Sequence, residues 1–344
     1  MRLAELISTR NFRMIEGPIP EPSPGQVLVR VEAVGICGSD MHYYAEGHVG
    51  DIPCVYPMVI GHEPAGTVVK AGPGVTGWSP GDRVALEPAI YCYHCEFCHT
   101  GHHNVCANLR FMSMPPDPGF FAEYAVLPAE NLMAIPPEIS FADATLIEPL
   151  AVVVHSMKFI AVQPTDTAVI FGAGPIGLLT LVTMKLAGAG RIWTVEPVKE
   201  RRELAARLGA DVVIDPREVD PVKEILAGTR NRGVDVAVDC AAKDNTMNQS
   251  ILASRNAGRV VITGIPSESG VPLDIHTMRR KETTLYNVRR SNREGDLARD
   301  LMCANLSRFL PIITHTRPLD EIARTFAQLE HYEDGIAKAV ILMK

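Results

Sequence analysis

The segment Thr167-Ala-Val-Ile-Phe-Gly-Ala-Gly-Pro-Ile-Gly177 narrows the available folds more than any other stretch of this chain. A continuous apolar run ending in glycines reads as a strand buried on both faces, which belongs in a parallel sheet. Gly172-x-Gly174-x-x-Gly177 then permits a tight turn, close approach of a pyrophosphate and close helix packing, and Pro175 suits the first turn of a helix reaching Leu186. The helix N-terminus supplies donors and partial positive charge. After the next strand, Arg191-Ile-Trp-Thr-Val195, stands Glu196, nineteen positions beyond Gly177. A carboxylate there accepts hydrogen bonds from the adenosine ribose and repels a 2′-phosphate, which favours NAD over NADP. Lys199, Arg201 and Arg202 follow closely. They could neutralise a phosphate, or form a solvated helix face paired with Glu200 and Glu203.

Around this segment the chain changes texture. From about residue 165, apolar strands alternate with helical stretches: Lys199 to Leu208 reads as a charged helix, and Asp211 to Ile214, Val234 to Val238 and Arg259 to Thr263 read as strands. Strands of this kind alternating with helices describe an α/β doubly wound parallel sheet. Earlier, Gln26 to Val34 alternates apolar and polar residues as a half-buried strand does, and Ala65 to Ala71 and Asp82 to Leu86 resemble it. Pro24-Gly25, Gly72-Pro73 and Pro80-Gly81 break the chain between them. Residues 1–155 are therefore expected to form an all-β domain with long functional loops, and 156–291 the dinucleotide domain. Residues 292–344 return to the first domain, with Ala337 to Met343 as a rejoining strand.

Two groups of metal-ligating residues precede the glycine loop. Cys92-x-x-Cys95-x-x-Cys98-x7-Cys106 puts four thiolates in one loop. Tetrahedral zinc held by all four, with no open position, is the expected occupant, making a structural site. A redox-active or vestigial cluster is the plainer alternative, and an iron–sulfur cluster, which the spacing alone allows, is disfavoured by the lack of an electron-transfer context. His94, His99, His102 and His103 read as exposed bystanders. The second group is Cys37, His62 and Glu63 on glycine-flanked turns, with Glu148 in the otherwise apolar Leu146-Ile-Glu-Pro-Leu150. A buried carboxylate costs several kcal/mol unless paired or metal-bound. A mixed S, N, O set with one open position is what a catalytic zinc requires.

Composition excludes other classes. With 47% hydrophobic and 21% charged residues the chain reads as soluble and globular. A net charge of −7 argues against a nucleic-acid surface, and so against a nucleic-acid-binding zinc ribbon. The N-terminal residues carry no h-region, and the apolar stretch Ile176 to Met184 is shorter than the about 20 residues of a membrane span. A cytoplasmic location is expected, with Cys54, Cys240 and Cys303 as buried reduced thiols.

Taken together, the chain resembles the zinc-containing medium-chain dehydrogenases. It is most similar to their polyol (sorbitol, xylitol) dehydrogenase branch, with threonine dehydrogenase close behind. The resemblance rests on Gly35-Ile-Cys-Gly-Ser-Asp-Met-His-Tyr43, Gly61-His-Glu63, the four-cysteine loop, Phe111-Met-Ser-Met-Pro-Pro116, Glu148-Pro-Leu150, Gly172-Ala-Gly-Pro-Ile-Gly177 and Val288-Arg289. It implies a GroES-like β catalytic domain split around a Rossmann domain, and a homotetramer acting on a small-molecule alcohol.

Position by position, the resemblance makes Cys37 and His62 catalytic zinc ligands, and Glu63 a carboxylate that ligates in some members and stands back in others. Glu148 matches the acid that ligates directly or stands behind the metal's water. Ser39 and His42 match a proton relay, and Tyr43, Phe111 and Arg289 match substrate-pocket positions. Gly172, Gly174, Ile176, Gly177, Glu196 and Arg201 match NAD contacts, with Gly264 and Ile265 near the nicotinamide. The branch commonly has Arg-Tyr where this chain has Arg289-Arg290. A second guanidinium at Arg290 could recognise a sugar-acid carboxylate or a phosphate, or serve as a surface ion-pair partner. The implied reaction is hydride transfer from a secondary alcohol to NAD, assisted by zinc as Lewis acid, with the proton leaving through Ser39, the cofactor ribose and His42.

Overall fold

A computed structural model describes residues 1–243, 245–268 and 270–344. The chain divides into two compact units: residues 1–151, 291–306 and 313–344 form the first, and 152–290 with 307–312 the second.

Among the described residues, the first unit is built on a seven-stranded sheet. Its central strand, Gln26–Gly35, is flanked by antiparallel partners Glu63–Ala71, Tyr124–Pro128 and Ala339–Leu342. Val27, Val29, Val31 and Ala33 are at most 1% exposed, and on the other face Leu28 and Val34 are buried as well, leaving Arg30 exposed. Each such Val contributes about 1.5–3 kcal/mol by leaving water. Two registers matter for chemistry. Gly35 lies opposite Glu63 on one side and opposite Val340 on the other. The C-terminal strand is thereby brought beside the turn that carries Cys37. The N-terminal residues form a hairpin, Arg2–Ser8 with Asn11–Glu16, that covers this core.

Among the described residues, the second unit contains a six-stranded parallel sheet in the spatial order Val212–Ile214, Ile192–Val195, Ala168–Phe171, Val234–Asp239, Ser254–Ile262, Thr284–Asn287. Numbered along the chain this is 3-2-1-4-5-6, the doubly wound order that places a ligand crevice where the direction of winding reverses. Ala168, Val169, Ile170 and Phe171 are all 0% exposed, as a strand covered by helices on both faces must be. The helices Pro175–Leu186 and Lys199–Leu208 follow the first two strands. The α/β sheet and the β-rich unit together give the expected fold class.

Candidate metal and dinucleotide sites

Cys37 ends the central strand's turn and caps the helix Gly38–Ala45, and His62 immediately precedes the strand Glu63–Ala71. The strand register draws these segments together, so that one ligand atom each from Cys37, His62 and Glu63 lies within 4.8 Å of the others. Asp40, fully buried, holds the arrangement. It accepts from the backbone N–H of Cys37 at 2.9 Å and of Gly61 at 3.1 Å, and lies 3.2 Å from Nδ1 of His62. That contact leaves Nε2 of His62 to face a metal, the usual way a carboxylate orients a ligand imidazole. Burial works against a charged His62, but the charge and hydrogen bonding of Asp40 and Cys37 outweigh it and raise its pKa well above the ordinary value. The anionic partners that favour a proton at His62 would equally favour a cation in its place.

Glu63 is also ion-paired with Lys338, whose Nζ donates to the carbonyl of Ile36 at 2.9 Å. Glu148, in the first turn of the helix Ile147–Ile160, stands outside the three-residue group but feels the charges of His62 and Glu63. Loss of hydration is the main cause that pushes its carboxyl up to about 8, and the neighbouring acids Glu63 and Glu87 add to it.

The sulfurs of Cys92, Cys95, Cys98 and Cys106 lie within 4.8 Å of one another. Cys106–Cys92 and Cys95–Cys106 are 3.4 and 3.9 Å apart. A tetrahedron with 2.3 Å metal–sulfur bonds has edges of about 3.8 Å, so the loop fits zinc. Hydrogen bonds from Asn108 and from backbone N–H groups lower the Cys92 thiol to about 5, whereas burial raises Cys98 to about 12. The carboxamide of Asn292 fastens the loop: its oxygen accepts from the N–H of His103 at 2.8 Å, and its nitrogen donates to the carbonyl of Gly101 at 2.8 Å. His94, His99, His102 and His103 are not part of either ligand group.

In the second unit, Gly172 has φ +94°, and a Cβ on Gly177 would meet the carbonyl oxygen of Gly172 at 1.9 Å. Both positions therefore require glycine. A Cβ on Gly174 would meet only Arg201 Nη1, at 4.0 Å, so this stretch of the loop is open for a pyrophosphate. Glu196, 4% exposed, accepts from the N–H of Ala173 at 2.8 Å and of Val198 at 2.9 Å. Its carboxylate is thus locked against the glycine loop. Ile176 and Gly264 are partly exposed, and Ile265 is 47% exposed.

The remaining predicted residues are distributed as follows. Ser39 Oγ lies 3.4 Å from His62 Nε2, and the Phe111 ring stands 5.4 Å from the His62 ring. Tyr43 is buried, and His42 Nδ1 pairs with Glu46 at 2.9 Å across one helical turn. Arg289 and Arg290 belong to the second unit; Arg289 is exposed, and Arg290 has φ +54°. Sequence reasoning missed Asp40 and Lys338. An acid three residues after a helix cap was a readable signal for Asp40. A single lysine in an apolar strand was one for Lys338.

Residues 23–137 match the alcohol dehydrogenase GroES-like domain, and residues 175–303 match the zinc-binding dehydrogenase domain. A sorbitol dehydrogenase from Bacillus subtilis is 36% identical over 288 residues, covering 84% of this chain and 82% of the relative. The crystal structure of 2R,3R-butanediol dehydrogenase from Bacillus subtilis superposes with a TM-score of 0.89 at 30% identity, covering 100% of this chain and 99% of that one. A zinc-binding dehydrogenase from Sinorhizobium meliloti, bound to NADP, gives 0.90 at 31% identity, covering 99% and 98%. The chain belongs to the zinc-dependent medium-chain dehydrogenases, in their polyol dehydrogenase branch. It is an alcohol oxidoreductase.

Proposed function

We propose that this enzyme oxidises a secondary alcohol of a polyol or similar sugar alcohol to the ketone with NAD, using zinc held by Cys37, His62 and an acid supplied by Glu63 or Glu148. The observation that carries this reading is the convergence of thiol, imidazole and carboxylate within 4.8 Å on a scaffold locked by Asp40 and Lys338. When bound, zinc would supply a Lewis acid for the hydroxyl and NAD would accept the hydride. The residues do the rest. Ser39, beside His62 Nε2, would accept the hydroxyl proton as it gives up its own, and His42, its Nδ1 engaged by Glu46, would release a proton outward at the end of the relay. Tyr43 and Phe111 shape the apolar side of the substrate site. The four-cysteine loop holds a second, structural zinc. Gly172, Gly174, Ile176, Gly177, Glu196, Arg201, Gly264 and Ile265 hold NAD, with the buried Glu196 carboxylate set for the adenosine ribose. The enzyme works as a cytoplasmic homotetramer, the assembly being open to analytical ultracentrifugation.

A substrate panel of polyols, sugar acids, sugar phosphates and L-threonine, each with NAD and NADP, tests the reading alongside metal content per subunit. Two zinc ions, highest kcat/KM on a polyol with NAD, and loss of turnover after chelation are expected. Turnover undiminished in fully folded, metal-stripped protein would overturn it. Threonine outpacing every polyol would reassign the substrate.

A further inference from the structure

The strand end beside the glycine loop carries two arginines that could serve a 2′-phosphate. The structure commits both elsewhere. Val195 and Ile214 are register partners, and Glu196 N–H donates to the carbonyl of Ile214 at 3.0 Å, which sets Asp215 beside the Glu196–Pro197 corner. Asp215, with a side chain 7% exposed, gathers both guanidiniums: Arg202 Nη2 at 2.8 Å and Arg217 Nη2 at 2.7 Å, the latter's Nε donating as well at 3.0 Å. Arg202 Nη1 also donates to the carbonyls of Glu196 at 2.8 Å and Pro197 at 2.5 Å, and Arg217 donates to the same Pro197 carbonyl. Hydrogen bonding from Arg217 is the main cause that holds the Asp215 carboxyl well below the usual carboxylate range. Within this bonded group two carboxylates, Glu196 and Asp215, balance two guanidiniums, Arg202 and Arg217. A phosphate arriving there meets the buried Glu196 anion and finds both cations already hydrogen-bonded in fixed positions.

We propose that Asp215 is a specificity-positioning residue: it withholds Arg202 and Arg217 from a 2′-phosphate and so keeps the dinucleotide site selective for NAD. This rests on the NAD reading above and goes beyond it, because Asp215 need touch no part of the cofactor. Glu196 rejects the phosphate by charge, and Asp215 removes two of the nearby compensating cations. Both are needed, since each freed guanidinium can make charge-assisted, bidentate contacts to a phosphate.

Fluorescence titration of NADH and NADPH onto the whole enzyme tests this in wild type, Asp215→Asn, Asp215→Asn with Arg217→Ala, and Glu196→Ala. Wild type should favour NADH; a preference for NADPH there would sink the NAD reading itself. Asp215→Asn should move the NADPH-to-NADH affinity ratio by about tenfold or more towards NADPH, the worth of one or two charge-assisted hydrogen bonds. Adding Arg217→Ala should reverse most of that gain. A residue that merely supports the fold would weaken both cofactors alike, so a ratio within about threefold of wild type in Asp215→Asn overturns the proposal alone. Should Asp215→Asn fail to fold, Glu196→Ala still decides. With both arginines held by Asp215, its NADPH affinity should rise by less than about threefold, and a gain of about tenfold or more would overturn the proposal.

Discussion

The ammonium of Lys338 and the carboxylate of Glu63 form an ion pair in which the two side chains are 0% and 1% exposed. Its partners are 275 residues apart in the chain, and Gly35 makes room for it: a Cβ there would lie 2.1 Å from Glu63 Oε2 and 3.2 Å from Lys338 Cε. Lys338→Met in the metal-free protein leaves an uncompensated buried carboxylate and should cost about 3–5 kcal/mol, seen as a lowered denaturant midpoint at constant m. Adding Glu63→Leu should recover most of the loss, because an apolar pair of similar volume replaces a buried ion pair at little cost. A midpoint unmoved by Lys338→Met would show that the pair is not formed.

Asp40 joins the backbone of Cys37 to the ring of His62 through one buried carboxylate. Asp40→Asn should weaken zinc at the Cys37–His62 site by about 10–100-fold, the usual effect of losing an orienting partner. Competition with a chromophoric chelator measures it. Zinc bound to the four cysteines of the loaded protein should be released at the wild-type rate.

Gly177 packs where a methyl group would stand 1.9 Å from the Gly172 carbonyl oxygen. Gly177→Ala must push the helix Pro175–Leu186 away from the loop, costing about 1–3 kcal/mol of stability. It should also weaken NADH, since the donors at the helix N-terminus shift with it. Thermal melts with and without NADH separate the two effects: the variant should lose most of the stabilisation that saturating cofactor confers on wild type.

Asp235 is one of the carboxyls of the dinucleotide unit whose pKa is depressed. Burial opposes its charge, but hydrogen bonds from Arg232, the Thr167 N–H and Arg255 outweigh this and depress its pKa well below the usual range. A depressed carboxyl stabilises the fold at pH values above its unfolded value of about 3.9 and loses that contribution as pH falls through the folded one. Asp235→Asn should therefore cost about 1–3 kcal/mol at pH 7, the worth of hydrogen bonds to a charged group. The deficit should shrink progressively below about pH 4 in urea titrations run across pH. A deficit constant with pH would mean that the charge of Asp235 contributes nothing.

Local patterns made much of this molecule legible. The helix over 175–186 and the strands around Phe171, Val195 and Val238 follow from contiguous apolar runs, glycines and a proline at the helix start. The four thiols of the cysteine loop sit within fifteen residues, so their spacing alone brings them close. The N-terminal hairpin is harder to read, because Glu5 and Arg13 interrupt its apolar positions and pair across it, and Arg10 in its turn pairs with the distant Glu330.

The amino-acid order by itself determined the class of fold, the glycine loop and the kinds of ligand atom available, because each depends on residues a few positions apart. Only the tertiary structure decided which charges are buried together. Lys338 meets Glu63 because the last strand pairs with the first long one, and Asp215 meets Arg202 because two parallel strands end side by side. Such pairings depend on chain closure across tens to hundreds of residues and on the exclusion of water, neither of which leaves a periodic mark in the sequence.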